Sequence, residues 1–163
     1  MPDPGSLLAL TLVLAPQLPA AAAGAGDTIA AGVRACLQAT VPAGIEEASL
    51  KAGGWEAYDF NGGDAASMPL RIHSRGRGPI LLTGVGAAAK DWGCHVVAPL
   101  SSTAGFAATV DGITKELGVR PTSNDPAETL WIVGDKGVLL AAAKDTKQTS
   151  VRATVVTIAE GMK

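Results

Sequence analysis

Apolar residues recur along this chain with two different periods, and this feature restricts most strongly the folds that are open to it. In residues 27–40 and in residues 101–117, apolar side chains return at spacings of three and four, which places them on one face of an α-helix. The first stripe comprises Ile29, Val33, Cys36 or Leu37, and Thr40, and the second comprises Phe106, Val110, Ile113 and Leu117. Asp27 is a suitable N-cap for the first helix, and Gly118 ends the second.

The remaining apolar residues form short runs bounded by Gly or Pro, which is typical of β-strands. The runs are residues 70–74, 79–83, 92–98, 129–133, 138–143 and 151–158. A further short helix, residues 42–52, begins at Pro42 and stops at Gly53. The predicted order is therefore ααβββαβββ. Short turns between consecutive strands predict antiparallel pairing, so we expect an α+β domain with an antiparallel sheet of five to six strands and helices packed on one face.

The amino terminus has the pattern of an export signal. Residues 6–15 form an apolar run of about 10 residues, within the roughly 7–15 of a signal-peptide core and short of the roughly 20 that span a bilayer. Ala-x-Ala sites follow and end at Ala22, Ala23 or Ala25, although residues 1–5 lack the expected Lys or Arg. We expect residues 1–26 to be an export leader, residues 27–163 to be a single periplasmic or secreted domain, and no stable membrane span. A loosely packed Ala/Pro-rich tail is the alternative.

Export affects how the two cysteines, Cys36 and Cys94, are interpreted, because an oxidising compartment favours a disulfide. Cys36 lies on the apolar stripe of the first helix and Cys94 lies in an apolar strand, so both side chains are expected in the core. A bond between them closes a loop of almost 60 residues, and chain entropy makes such a loop worth about 4 kcal/mol. We predict this disulfide, and two buried free thiols are the alternative.

The composition excludes several classes of protein. With 13 basic and 15 acidic residues the formal net charge is -2, whereas a general nucleic-acid binder needs a basic surplus. The apolar content of 47% is too high for a disordered chain, and two cysteines are too few for a structural zinc site. The sequence also lacks a Gly-x-Ser-x-Gly elbow, a His-Glu-x-x-His pair, a Cys-x-x-Cys pair and an EF-hand loop. We predict no nucleic-acid partner, no cofactor and no bound metal.

The most distinctive segment is Arg71-Ile72-His73-Ser74-Arg75-Gly76-Arg77. Side chains alternate along a strand, so the basic residues of this segment share one face while the aliphatic residues face the core. The same alternation around Cys94 turns His95 away from the helices. We therefore expect one cationic patch on the free face of the sheet, formed by Arg71, His73, Arg75, Arg77 and His95. It would bind an anionic small molecule or an acidic protein, more strongly below about pH 6.5. The alternative is a solvated face kept charged against aggregation.

The same residues allow a catalytic interpretation. His73 or His95 could act as a base. The candidate nucleophiles are Ser74, Ser101 and Ser102, and the candidate orienting carboxylates are Asp59, Asp64 and Asp91. No diagnostic spacing supports these combinations, and metal binding through both histidines needs a third ligand that the sequence does not identify. We therefore predict a small exported binding or interaction protein, monomeric or homodimeric, with a small hydrolase or transferase of the cell envelope as the alternative.

Half of the aromatic residues lie in the glycine-rich segment of residues 53–69, namely Trp55, Tyr58 and Phe60. Aromatic side chains on loops can anchor a partner. We expect these three to cover the end of the core instead.

Four short motifs resemble those of a group of small exported bacterial proteins of unknown function. They are the Ala-rich leader, Ala35-Cys36-Leu37, Gly53-Gly54-Trp55 and Gly93-Cys94-His95-Val96-Val97-Ala98. The resemblance extends over most of residues 27–163, rests on short and permissive motifs, and implies an exported location but no catalytic residue. The order of elements also resembles, as an analogy of fold alone, secretion-chaperone-like domains in which helices flank a curved antiparallel sheet.

Overall fold

An antiparallel sheet of eight strands is the centre of the fold. The computed structural model describes residues 25–58, 69–100, 104–142 and 150–158. The helices in this part of the chain are α1 (Ala25–Ala39), α2 (Glu47–Ala52), α3 (Ala88–Trp92) and α4 (Ala104–Leu117). The strands are β1 (Thr40–Val41), β2 (Gly44–Ile45), β3 (Glu56–Ala57), β4 (Leu70–Ser74), β5 (Ile80–Gly84), β6 (Cys94–Pro99), β7 (Ser123–Asp125), β8 (Glu128–Val133), β9 (Lys136–Ala142) and β10 (Ser150–Thr157).

The last strand of the chain lies in the middle of the sheet. The spatial order is β3-β4-β5-β6-β10-β9-β8-β7, and every neighbouring pair is antiparallel. Two meanders, β3 to β6 and β7 to β9, are therefore joined through β10. The hairpin of β1 and β2 forms a separate two-stranded sheet beside α1.

The predicted α+β class and antiparallel sheet are confirmed, but the predicted strand number and element order are wrong. The six apolar runs correspond to β4, β5, β6, β8, β9 and β10. The strands β3 and β7 extend the sheet to eight, and all of their residues are exposed, so neither carries the alternation that marks a half-buried strand. The hairpin of β1 and β2 and the five-residue helix α3 also change the order.

Three helices, α1, α2 and α4, lie on the same face of the sheet, which we call the inner face; the opposite side is the outer face. Residues that oppose each other across antiparallel strands share a face, and one such row runs from Arg71 on β4 to Trp131 on β8. The row consists of Arg71, Thr83, Cys94, Val155, Val138 and Trp131. A disulfide attaches α1 to this row, a Trp131 Nε1 hydrogen bond to Thr114 Oγ1 at 3.1 Å attaches α4, and an ion pair from Arg71 attaches α2.

The predicted disulfide is confirmed. Cys36 of α1 and Cys94 of β6 are bonded, with their Cα atoms 5.5 Å apart and a sequence separation of 58. Both residues are fully buried. At Gly32, one turn earlier in α1, an added Cβ would lie 2.7 Å from Val96 Cγ1. The bond therefore lies where α1 approaches β6 so closely that a side chain larger than hydrogen does not fit.

Neither α1 nor any other helix in the described part of the chain is long and apolar enough to cross a membrane. The predicted leader, residues 1–26, lies outside the described residues except for its last two positions, which belong to α1. α1 begins at Ala25, so Asp27 lies within its first turn and is not the predicted N-cap.

Candidate functional site

Strand β4 positions most of the predicted binding residues, but on the face opposite to the one expected. His73 opposes Leu81, and Leu81 opposes Val96. Leu81 and Val96 are fully buried on the inner face, so His73 lies on the inner face too. Arg71 and Arg75 alternate with it on the same side.

The expected placement of Arg71, His73 and Arg75 on a free face is therefore wrong. The prediction assumed that the aliphatic residues of β4 mark the core side. The sheet carries aliphatic side chains on both faces, so this alternation could not show which face the helices cover. Their role in binding stays a prediction.

The two histidines do not form one patch, because the sheet separates them. His95 opposes Leu82 on β5 and Thr154 on β10, which places it on the outer face. Its Nδ1 is 3.0 Å from the Thr154 hydroxyl oxygen. Since the rings lie on opposite faces, they cannot ligate one metal ion, and the described residues hold no cluster of three His, Cys, Asp or Glu with metal-binding geometry. Arg77 lies in the exposed turn between β4 and β5.

The arginines beside β4 hold α2 and the following turn against the sheet. Arg71 forms an ion pair with Glu47, the first residue of α2. The guanidinium of Arg75 lies 5.1 Å from the centroid of the Trp55 ring, and its Nη1 donates a hydrogen bond to the carbonyl oxygen of Gly53 at 3.3 Å. Exposed contacts of these kinds are each worth up to about 1 kcal/mol. Part of the predicted cationic surface is thus engaged by groups of the chain itself.

His73 is a polar residue buried at the end of the helix layer. Only 2% of its surface is exposed, and its Nε2 lies 3.0 Å from the hydroxyl oxygen of Thr83. Burial lowers the pKa of His73 below its usual value, the Glu47 carboxylate opposes this effect, and the Arg71 guanidinium reinforces it. The ring is therefore neutral near pH 7.

The hydrogen bond to Thr83 relates to the tautomer of His73. The Thr83 hydroxyl can donate to Nε2 or accept from it. When the hydroxyl donates, the ring proton lies on Nδ1. His73 is then a donor on its unbonded side.

A cavity of about 450 Å³ lies between α2 and the edge strands β3 and β4. Its lining consists of Glu47, Ala48, Lys51, Trp55, Glu56, Ala57 and His73. The volume falls in the range of small-molecule sites, roughly 300–1,000 Å³. Its walls combine apolar surface with a neutral imidazole, a carboxylate and an ammonium group.

The charged side chains that line this cavity are the carboxylates of Glu47 and Glu56 and the ammonium group of Lys51. Glu56 opposes Ser74, so its side chain is directed towards the outer face. Glu47 is already paired with Arg71. Lys51 lines the cavity, and Arg75 lies beside it over Trp55. The groups that remain for an anionic ligand are the Lys51 ammonium and the His73 imidazole, because Arg75 already contacts Trp55 and Gly53.

Hydrolytic chemistry finds no support at this cavity among the described residues. Thr83, the hydroxyl beside His73, is 1% exposed, so a substrate cannot reach it. Ser74 alternates with His73 and faces the other way. Of the other proposed participants, Asp91 lies in α3, and the rest lie outside the described residues, namely Asp59, Asp64, Ser101 and Ser102.

Sequence reasoning missed the contribution of α2. Glu47 and Lys51 are four residues apart, so they share one face of that helix. This spacing was the available signal, but nothing in the sequence indicated that this face lies against β4. Trp55 is 2% exposed and covers the end of the core as expected, whereas Tyr58 is 59% exposed and Phe60 lies outside the described residues.

Two other cavities differ in their chemistry. One of about 580 Å³ lies at the Pro99 end of β6, and the described residues that line it carry no ionisable side chain. One of about 330 Å³ lies between α4 and β7. The cavity beside His73 combines a buried imidazole with cationic groups, so it is the candidate functional site. No protein-family model, no curated protein and no solved structure matches this chain.

Proposed function

We propose that this protein is an exported binding protein that holds a small organic anion in the cavity between α2 and β4. One observation carries the proposal: a neutral imidazole is buried in the wall of a cavity where the Glu47 carboxylate is paired with Arg71 and the Lys51 ammonium has no ion pair among the described residues. A ligand that accepts a hydrogen bond from His73 Nδ1 would contact the ring on the side away from Thr83.

The charge of the expected ligand follows from the groups described above. An anionic group fits Lys51, which has the opposite charge, and it fits an Nδ1–H donor of His73. The apolar wall of Trp55, Ala48 and Ala57 suits a compact carbon skeleton. A cation would meet the Lys51 ammonium, while the Glu47 carboxylate is already paired with Arg71.

The exported location is part of the same proposal. It is supported by the apolar run of residues 6–15, by the buried disulfide and by the resemblance to small exported bacterial proteins. Disulfides persist in oxidising compartments and are rare in the cytosol.

Three ligands of one shape and different charge test the binding proposal. Benzoate, benzamide and benzylamine are titrated into the full, disulfide-bonded chain while amide and indole signals are followed by NMR. We expect benzoate to shift the Trp55 indole signal and benzylamine to leave it unchanged. Lys51→Gln should weaken benzoate binding roughly tenfold or more, because a hydrogen bond to a charged group is worth about 1.5–3 kcal/mol.

Arg77→Gln is the matched control, since Arg77 is an exposed basic residue away from the cavity. Equal responses to all three ligands, or equal losses in Lys51→Gln and Arg77→Gln, would contradict the proposal. Turnover in a broad esterase and phosphatase screen that His73→Ala abolishes would favour the hydrolase alternative instead.

A further inference from the structure

The outer face of the sheet is apolar and has no covering layer among the described residues. Its middle row runs across six strands, with two aliphatic residues at each end of the row and two polar residues between them. The row is Ile72, Leu82, His95, Thr154, Leu139 and Leu130. Ile80 on one side of this row is 36% exposed, and Ile132 on the other is 37% exposed. A sheet with apolar residues on both faces is normally covered on both.

The size of this face matches what a stable dimer needs. Six strands spaced about 4.8 Å apart and roughly 20 Å long cover about 600 Å². Two such faces bury about 1,200 Å² in total, the lower end of stable protein interfaces.

The charges on the outer face suit a second copy of the same chain. On the six strands that lie from β4 to β8 in the spatial order of the sheet, the charged side chains of the outer face are Arg152 and Glu128. These two residues share a row and are both exposed. The outer face of these six strands therefore has no net charge when His95 is neutral, so the central parts of two identical faces do not repel each other, while Glu56 on β3 and Asp125 on β7 add carboxylates at its edges.

The two ends of β6 present different features, an exposed aromatic side chain at one end and an apolar cavity at the other. At one end Trp92 is 44% exposed and stands edge-on to His95, with the ring centroids 6.0 Å apart. At the other end lies the 580 Å³ cavity, which Ile80 and Val97 line from the outer face. The two copies are related by a two-fold axis that lies between their sheets and runs perpendicular to the strands. This axis places each end of β6 over the opposite end of the partner's β6. The indole of each copy then meets the apolar cavity of the other.

We propose that two copies of this chain pair face to face through their outer faces, with each Trp92 seated in the partner's cavity at the Pro99 end of β6. The interface is isologous, because the same surface serves in both copies. It is independent of the anion site, which lies on the inner face beside α2.

Sedimentation velocity of the full, disulfide-bonded chain tests this inference. The wild type is expected to sediment as a species of twice 16.3 kDa. Trp92→Ala and Ile132→Lys should each raise the dimer dissociation constant roughly tenfold or more, because Trp anchors seated in a pocket and desolvated apolar contacts dominate such interfaces. Both residues are more than one third exposed, so the folded monomer is expected to tolerate the changes, and an unchanged near-UV circular dichroism spectrum checks this.

Two control variants separate this inference from others. Ala108→Lys adds a charge to an exposed position on α4, and Lys51→Gln removes the cation of the anion site. Both should leave the dimer intact. A wild type that stays at 16.3 kDa at high micromolar concentration, or a dimer that resists both Trp92→Ala and Ile132→Lys, overturns the proposal, and neither result bears on benzoate binding. A monomer whose outer-face methyl groups are protected from solvent would instead show that a segment of the same chain covers this face.

Discussion

His73 and His95 lie on opposite faces of the sheet, yet burial acts on both imidazoles in the same direction. It is the largest cause of the lowered pKa of each ring. At His95 the Arg152 guanidinium reinforces the lowering, and a backbone contact with Trp92 opposes it. Each ring has a threonine hydroxyl as partner. Both positions therefore favour a neutral ring, while an unfolded chain leaves the same histidines at a pKa of about 6.5.

The free energy of unfolding should therefore depend on pH through these two residues. Below about pH 6.5 the unfolded chain binds protons that the folded chain does not bind. The contribution of these histidines to the free energy of unfolding is therefore fully present above that pH and is lost as the pH falls. The loss is at most about 1.4 kcal/mol for each imidazole and pH unit. Urea unfolding between pH 7.5 and 5 measures it.

A variant with both His73→Gln and His95→Gln provides the comparison. It should be less stable than the wild type at pH 7.5 and should have a flatter pH profile. An identical slope in the two proteins would show that other groups cause the dependence.

The sequence predicted which of the candidate binding residues on β4 share a face of the sheet, but it did not predict which face that is. Alternation along β4 correctly predicted that Arg71, His73 and Arg75 share a face. The face that the helices cover can be identified from the sequence only when one face of the sheet is polar and the other apolar. Both faces of this sheet carry aliphatic residues. The partners Glu47 and Lys51 come from a helix whose docking depends on contacts distant in sequence.

At the level of elements, the disulfide joins α1 to the strand beside the sheet centre. Reduction should lower the free energy of unfolding by about 4 kcal/mol, since it restores the entropy of a long loop in the unfolded chain. For a chain of this length that corresponds to a melting temperature lower by roughly 10 °C. Calorimetry with and without reductant measures the difference.

The control for reduction is a variant with both Cys36→Ala and Cys94→Ala. Its melting temperature should not respond to reductant. A wild type whose melting temperature also fails to respond would mean that the bond contributes no stability.

Elements with internal periodicity were predictable, and elements made by their neighbours were not. The stripes of α1 and α4 and the six apolar runs each carry their own pattern. β7 has the sequence Ser-Asn-Asp, which is typical of a turn. It forms a strand only because it pairs with β8 at the edge of the sheet. Trp92 was expected inside a strand, but it ends the short helix α3, where Gly93 adopts a φ of 66° and redirects the chain into β6.

For the whole molecule, the expected leader gives a direct test of location. When the full chain is expressed in a bacterium, we expect the exported protein to begin between Gly24 and Asp27, as determined by mass spectrometry. Leu12→Arg should retain the chain inside the cell, because a charge in the apolar run costs about 2.5–3.5 kcal/mol in insertion. Gln17→Arg, outside the run, should be exported normally. Recovery of the uncleaved chain from the cytoplasm alone would refute the leader.

The central position of β10 has a consequence for when the molecule can fold. β6 and β9 each pair with β10, so the two meanders have no common sheet until residues 150–157 are present. Contacts of such large sequence separation form slowly and late. In a chain that passes through a narrow channel amino end first, β10 is the last strand to emerge, so the sheet is completed on the far side only after residues 150–157 have passed.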